Sequence, residues 1–190
     1  MASRHLDTSS GPGTIGPAEK GNPYPFPGPT RADEERTMTQ TQFTMQPIGA
    51  AHTPFSAGEQ VPRGRGATHT AEGVLEVRPE LEAGLDDIDG FSHLYVVWVF
   101  DRATGYDLRV TPPTDTRPHG VFATHAPRRP NPIALTIVRL LRREGARLHV
   151  AGVDMLDGTP ILDIKPCTSS VPADELRRGW LADAERDHAR

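Results

Sequence analysis

A chain of 190 residues is long enough for one domain with tails, and its 36% hydrophobic content is compatible with a single modest core. A formal charge of −4 argues against bulk electrostatic attraction to nucleic acid, and a lone cysteine, Cys167, excludes an intrachain disulfide and a cysteine-based zinc site and points to a reducing, cytoplasmic setting. Neither an apolar run of about 18 residues nor a secretory leader pattern is present, so no membrane association or export is expected.

Residues 1–41 contain Gly11-Pro12-Gly13, Gly21-Asn22-Pro23 and a Pro-rich run from Tyr24 to Pro29. Such a composition buries too little apolar surface to offset chain entropy, and it reads as a disordered or loosely packed tail. Gly11 to Gly16 matches the GxGxxG spacing of dinucleotide loops, but no strand precedes it and no helix begins within it, so the match carries no chemistry. From Phe43 onward, short β-rich runs alternate with turn residues, the pattern of an antiparallel sheet or barrel.

Strands are expected over 43–48 and 70–77, followed by a short helical turn in which Pro79 precedes Glu80 and Glu82 at the positive end of its dipole. The nearly continuous apolar run 92–100 predicts a strand buried on both faces. Residues 133–142 and 147–155 predict a hairpin, with Gly145 as its left-handed turn residue, and 159–165 completes the β region. After Pro172, Asp174 and Glu175 precede Leu176 and Trp180 four residues apart, which predicts a C-terminal helix. The expected organisation is a tail over 1–41, a mainly β domain over 42–170 and a helix over 171–190.

Segment 120–133 enters a loop stiffened by Pro127, Pro130 and Pro132, which can hold Arg129 and Asn131 in place before a ligand arrives. Arg128, Arg129, Arg139, Arg142, Arg143 and Arg147 form a basic cluster, readable either as a phosphate-contacting face or as a solvated strand face. Asp157-Gly158 is a turn signal. Asp163 and Lys165 lie two apart on a strand and share one face, where they can pair or flank a substrate. His93, in a core-like strand, reads as a structural histidine, and the other histidines lack ligand spacing, so no metal is expected.

In Phe91-Ser92-His93-Leu94-Tyr95, in Gly120-Val121-Phe122-Ala123-Thr124-His125-Ala126-Pro127-Arg128-Arg129-Pro130-Asn131-Pro132-Ile133, and from Asp157-Gly158-Thr159-Pro160 to Asp163-Ile164-Lys165-Pro166-Cys167, the chain resembles the TsaA/TrmO family. Its members carry an FSHLW-like strand, a GVFATRSPxRPNPIG-like loop and a DGTPxxDIKPY-like turn at comparable spacing. Pro47-Ile48-Gly49 and Val61-Pro62-Arg63 also look like the family's first strand and the loop after it. The resemblance implies a small antiparallel β-barrel of the TsaA-like type with short helices and a C-terminal helix, binding S-adenosylmethionine outside the Rossmann scheme. It further implies a homodimer with sites near the subunit interface, and methylation of N6 of threonylcarbamoyladenosine at position 37 of tRNA.

Carried onto this sequence, the resemblance places cofactor contacts on Arg65, Gly66, Ala67, Asp101, Arg102, Phe122, Thr124, His125, Leu135, Val153 and Asp154, and substrate contacts on Arg129 and Asn131. Asp163 and Lys165 are the candidates for proton removal and carbonyl polarisation. His125 stands where the family has Arg, Ala126 where it has Ser, Asp101 where His is common and Cys167 where it has Tyr. No additional C-terminal domain of the kind found in longer bacterial members is expected. Three readings stay open: a tRNA methyltransferase with a positive patch over the arginine cluster, a methyltransferase for a small metabolite, and an S-adenosylmethionine-binding module without turnover.

Overall fold

Six strands close into an antiparallel barrel: β1 (Gly49–His52), β2 (Glu72–Val77), β7 (Arg147–Ala151), β6 (Ile133–Glu144), β3 (His93–Val99) and β8 (Thr159–Pro166), in that spatial order. Closure removes the unpaired edges that an open sheet of this size would expose. In the computed structural model the described residues are 42–62, 70–168 and Arg186. The expected tail over 1–41, most of the expected helix over 171–190, and Arg65, Gly66 and Ala67 lie outside them. A two-residue ribbon, β4 (Arg109–Val110) with β5 (His119–Gly120), stands apart from the barrel sheet.

Inward-facing side chains from every strand make the core: Ala51, Leu75, Val77, Leu94, Val96, Trp98, Val138, Leu148, Val150 and Ile161, with Val153 and Met155 packed into it from the segment after β7. Each fully buried Leu, Ile or Val contributes about 1.5–3 kcal/mol. In β3 the inside set is Leu94, Val96 and Trp98, while Tyr95, Val97 and Val99 face outward and are half-buried. The strand is therefore not enclosed on both faces as its apolar run suggested. A single-layer barrel has only one interior.

The first strand also differs from expectation, lying at Gly49–His52 rather than over 43–48. Ala50 and Ala51 have little intrinsic strand preference. Their strand is imposed by partners on both sides, β2 through Ala51↔Leu75 and β8 through Ala51↔Thr159. The approach to β2 is so close that a Cβ on Gly49 would lie 2.1 Å from the Glu76 carbonyl oxygen.

The predicted hairpin is present, with Glu144 opposite Arg147 and Gly145 at φ 58°. Pro79–Leu85 forms the expected short helix as a 3-10 segment. Arg143 ties it to the hairpin by donating from Nη1 to the Leu85 carbonyl at 2.8 Å, with Glu82 and Asp86 beside the same guanidinium.

Candidate functional site

Neighbouring strands run antiparallel, so β1, β3 and β7 end where β2, β6 and β8 begin, and three connections meet at that end of the barrel. They are the segment after His52, the long excursion from Phe100 to Pro132, and residues 152–158. Thr53 donates from its backbone N–H to Asp157 Oδ1 at 3.1 Å and from Oγ1 to the Met155 carbonyl at 2.9 Å. Arg102 donates from Nη2 to the Asp157 carbonyl at 2.7 Å, and Phe100 N–H to the Pro132 carbonyl at 2.8 Å. Asp154 accepts a 2.5 Å hydrogen bond on Oδ1 from the Thr136 hydroxyl. Asp154, far in sequence from Asp101 and Arg102, thus reaches the same end of the barrel as they do.

The Pro-rich loop follows a 3-10 turn, Val121–Ala123, which is anchored by the Val121 N–H on the Leu108 carbonyl. Arg129 closes the loop on itself, donating from Nη1 to the carbonyls of Thr124 at 2.9 Å and Ala126 at 3.4 Å. Arg128 pairs with Asp107 at 2.7 Å and ties the loop to the chain before β4. Bracing of this kind leaves Phe122 76% exposed, with His125 and Asn131 also at the surface. At the base of the excursion, Asp115 accepts from the Arg117 backbone N–H and pairs with His119 at 2.9 Å. These two hydrogen bonds hold the Asp115 carboxyl at about 2, below its ordinary value.

A second surface is the outer wall of β8, β3 and β6. Its rows run Lys165, Tyr95, Ile137 and Asp163, Val97, Leu135 across the three strands. Lys165 Nζ lies 2.6 Å from Asp163 Oδ2, as their shared face predicted, and the Asp163 carboxylate raises the lysine above its ordinary value. Leu135 and Ile137 are 56% and 51% exposed. Asp163 and Leu135 flank Val97, which puts them about 10 Å apart, two strand spacings. A hydrogen bond with the Cys167 thiol raises the Tyr95 phenol.

Residues 50–173 match the tRNA-methyltransferase O N-terminal domain. The chain belongs to this family. It is 47% identical over 137 residues to a probable S-adenosyl-L-methionine-binding protein of Pyrococcus abyssi, a match covering 72% of this chain and 74% of that one. It is 37% identical over 128 residues to a tRNA (adenine(37)-N6)-methyltransferase of Mus musculus, covering 64% of this chain and 30% of the mouse protein. A crystal structure of TrmO superimposes with a TM-score of 0.62 at 35% identity, over 74% of this chain and 64% of that chain. The family barrel therefore accounts for most of this chain, and this chain for less than two thirds of TrmO.

Within this TrmO-type barrel the expected site residues fall into separate groups. Asp101, Arg102 and Asp154 share the barrel end, whereas Leu135, Asp163 and Lys165 share the outer wall. Val153 is fully buried, its methyl groups near Gly73. Most of the arginine cluster is paired rather than free. Arg128 pairs with Asp107, Arg142 with Glu144, Arg143 with Glu82 and Asp86, and Arg147 with Glu76, while Arg129 is spent inside its loop. Thr53, Trp98 and Thr136 support the barrel end without having been singled out from sequence. A hydroxyl at an inward position of β6 was the one available sign of Thr136.

No helix among the described residues is long and apolar enough to cross a membrane. No group of three or more His, Cys, Asp or Glu side chains among them could hold a metal.

Proposed function

We propose that this chain is an S-adenosylmethionine-dependent methyltransferase that methylates N6 of threonylcarbamoyladenosine at position 37 of tRNA, acting in the cytoplasm through a barrel domain over 42–170. The observation carrying this reading is the meeting of Asp101, Arg102 and Asp154 at one end of a TrmO-family barrel, the end from which the connection bearing Phe122, Thr124 and His125 extends. The donor set suits S-adenosylmethionine: a carboxylate for hydroxyl or ammonium groups, a guanidinium for a carboxylate, and exposed Phe122 for a flat adenine.

When bound, that cofactor supplies an electrophilic methyl group for in-line displacement. The part left to the chain is alignment and exclusion of water, which together contribute about 7–11 kcal/mol. An acceptor nitrogen attached to a carbonyl has a delocalised lone pair, so its proton must leave as the new bond forms. Asp163 takes that proton, and the Lys165 ammonium beside it stabilises charge on the neighbouring carbonyl oxygen. Arg129 and Asn131 shape the acceptor side of the loop. We further propose that the chain works as a homodimer whose second copy covers Ile133, Leu135 and Ile137 and dries the Asp163–Lys165 pair.

A small-molecule acceptor is the second reading, favoured by the pairing of Arg128, Arg142, Arg143 and Arg147 with acidic side chains. Incubation with methyl-labelled S-adenosylmethionine, total RNA and, separately, small metabolites decides between them. Label in tRNA that depends on the threonylcarbamoyl modification supports the first reading. Label only in metabolites supports the second, and donor binding without label in either fraction leaves a binding module.

A further inference from the structure

Thr136 and Thr159 are the only buried polar side chains among the described residues. Thr136 sits in a chain of hydrogen bonds that leads out of the core. Trp98 Nε1 donates to Thr136 Oγ1 at 2.9 Å, and Thr136 Oγ1 donates to Asp154 Oδ1 at 2.5 Å. The direction is fixed by chemistry: an indole N–H can only donate and a carboxylate can only accept, so the single hydroxyl proton must point at Asp154. The second bond is short, as expected for a hydroxyl facing a charged oxygen.

Every member of this chain is held from behind. Trp98 is 5% exposed and packs edge-on against Phe100, with ring centroids 4.5 Å apart. Thr136 is 6% exposed, on a strand bonded to both β3 and β7. Asp154 lies between Val153 and Met155, both fully buried, so its backbone cannot swing. Stability alone gives little reason for such an arrangement, since apolar groups of the same shape in place of a buried hydrogen-bonded pair can be nearly neutral. What it does achieve is a fixed carboxylate orientation at the barrel end, and a carboxylate has lone-pair sites beyond the one Thr136 occupies.

We infer that Trp98 and Thr136 are positioning residues for the methyl-transfer reaction, orienting the Asp154 carboxylate to accept hydrogen bonds from the ribose hydroxyls of the donor nucleoside. The inference rests on the donor site proposed above and adds the two residues that set its geometry. Loss of the Thr136 hydroxyl removes a contact that sets the orientation of the carboxylate and weakens donor binding, while the reacting groups on β8 stay in place.

The test uses the full chain and S-adenosylhomocysteine in calorimetry, with methyl-transfer kinetics alongside. Thr136→Val keeps the shape and removes the hydroxyl, and a hydrogen bond to a charged group predicts about tenfold to a hundredfold weaker binding. The donor KM should rise in parallel, with kcat at saturating donor within about twofold. Thr136→Ser should restore binding to within about threefold of wild type. A residue that merely packs would give wild-type affinity in every folded variant, and that result overturns the inference. If Val prevents folding, Trp98→Phe removes only the N–H and a ring edge and should show the same KM-selective effect at smaller size. Methylthioadenosine, which keeps the ribose but lacks the ammonium, should lose the same factor in Thr136→Val, and an undiminished affinity would overturn the ribose assignment. Failure of the unaltered protein to bind S-adenosylhomocysteine would instead remove the donor site itself.

Discussion

The barrel end and the outer wall of β8, β3 and β6 are built from the same strands but handle polarity in opposite ways. At the barrel end, Thr53, Arg102, Thr136 and Asp154 are all committed to specific hydrogen-bond partners, and apolar side chains lie beneath them. On the wall, Ile133, Leu135 and Ile137 remain exposed beside a solvent-facing ion pair. An interlocked region can hold ligand groups in fixed positions without a partner. An exposed apolar wall suits cover by the second copy proposed above. The contrast separates the donor end, held within one chain, from the wall that carries the proposed Asp163–Lys165 pair and dimer contact.

The comparison can be pressed hardest at the core that underlies both regions. Leu148→Ala, at a fully buried position of β7, should cost about 2–5 kcal/mol, read from urea unfolding followed by circular dichroism. A smaller loss would mean that the barrel collapses to fill the gap. Next comes the wall's chemistry. Asp163→Asn preserves shape while removing the proposed base, and should lower kcat by about a hundredfold or more with donor binding unchanged in calorimetry. A parallel loss of donor affinity would merge the two regions into one site.

Ile137→Asp, on the wall only, should leave thermal stability within about 0.5 kcal/mol of wild type yet shift sedimentation from dimer to monomer. A monomeric wild type would remove the assembly role of the wall. The smallest expected effect concerns the excursion that feeds the barrel end. The folded-state carboxyl of Asp115 titrates at about 2, below its ordinary 3.8, so its contribution is complete above about pH 4 and fades as the pH falls towards 2. Asp115→Asn should therefore be less stable than wild type at neutral pH, and the gap should close in acid. A gap independent of pH would assign the effect to shape, not charge.

Much of the architecture was legible because it is local. Turn chemistry marked the hairpin through Gly145, Pro79 and its acids marked the 3-10 segment, and the two-residue spacing of Asp163 and Lys165 put them on one face. Less legible were features that depend on remote partners. The strand Gly49–His52 has weak propensity of its own and exists because β2 and β8 lie on either side. The arginines of 128–147 could be read in sequence as a phosphate-contacting patch or as a solvated face, and the acidic neighbours from other elements that pair with Arg128, Arg143 and Arg147 could not be read there at all.

By itself, then, the sequence determined the period-two alternation that makes strands, the turns that join them and the three motifs of the TrmO family, since all of these depend on residues close together in the chain. Only the tertiary structure decided which apolar face of β3 would become the interior, which arginines would be paired and which hydroxyl would stand behind Asp154. Closing a barrel is a non-local event: it brings β1 against β8 across more than a hundred residues, and the partners that satisfy each buried polar group are chosen at that step.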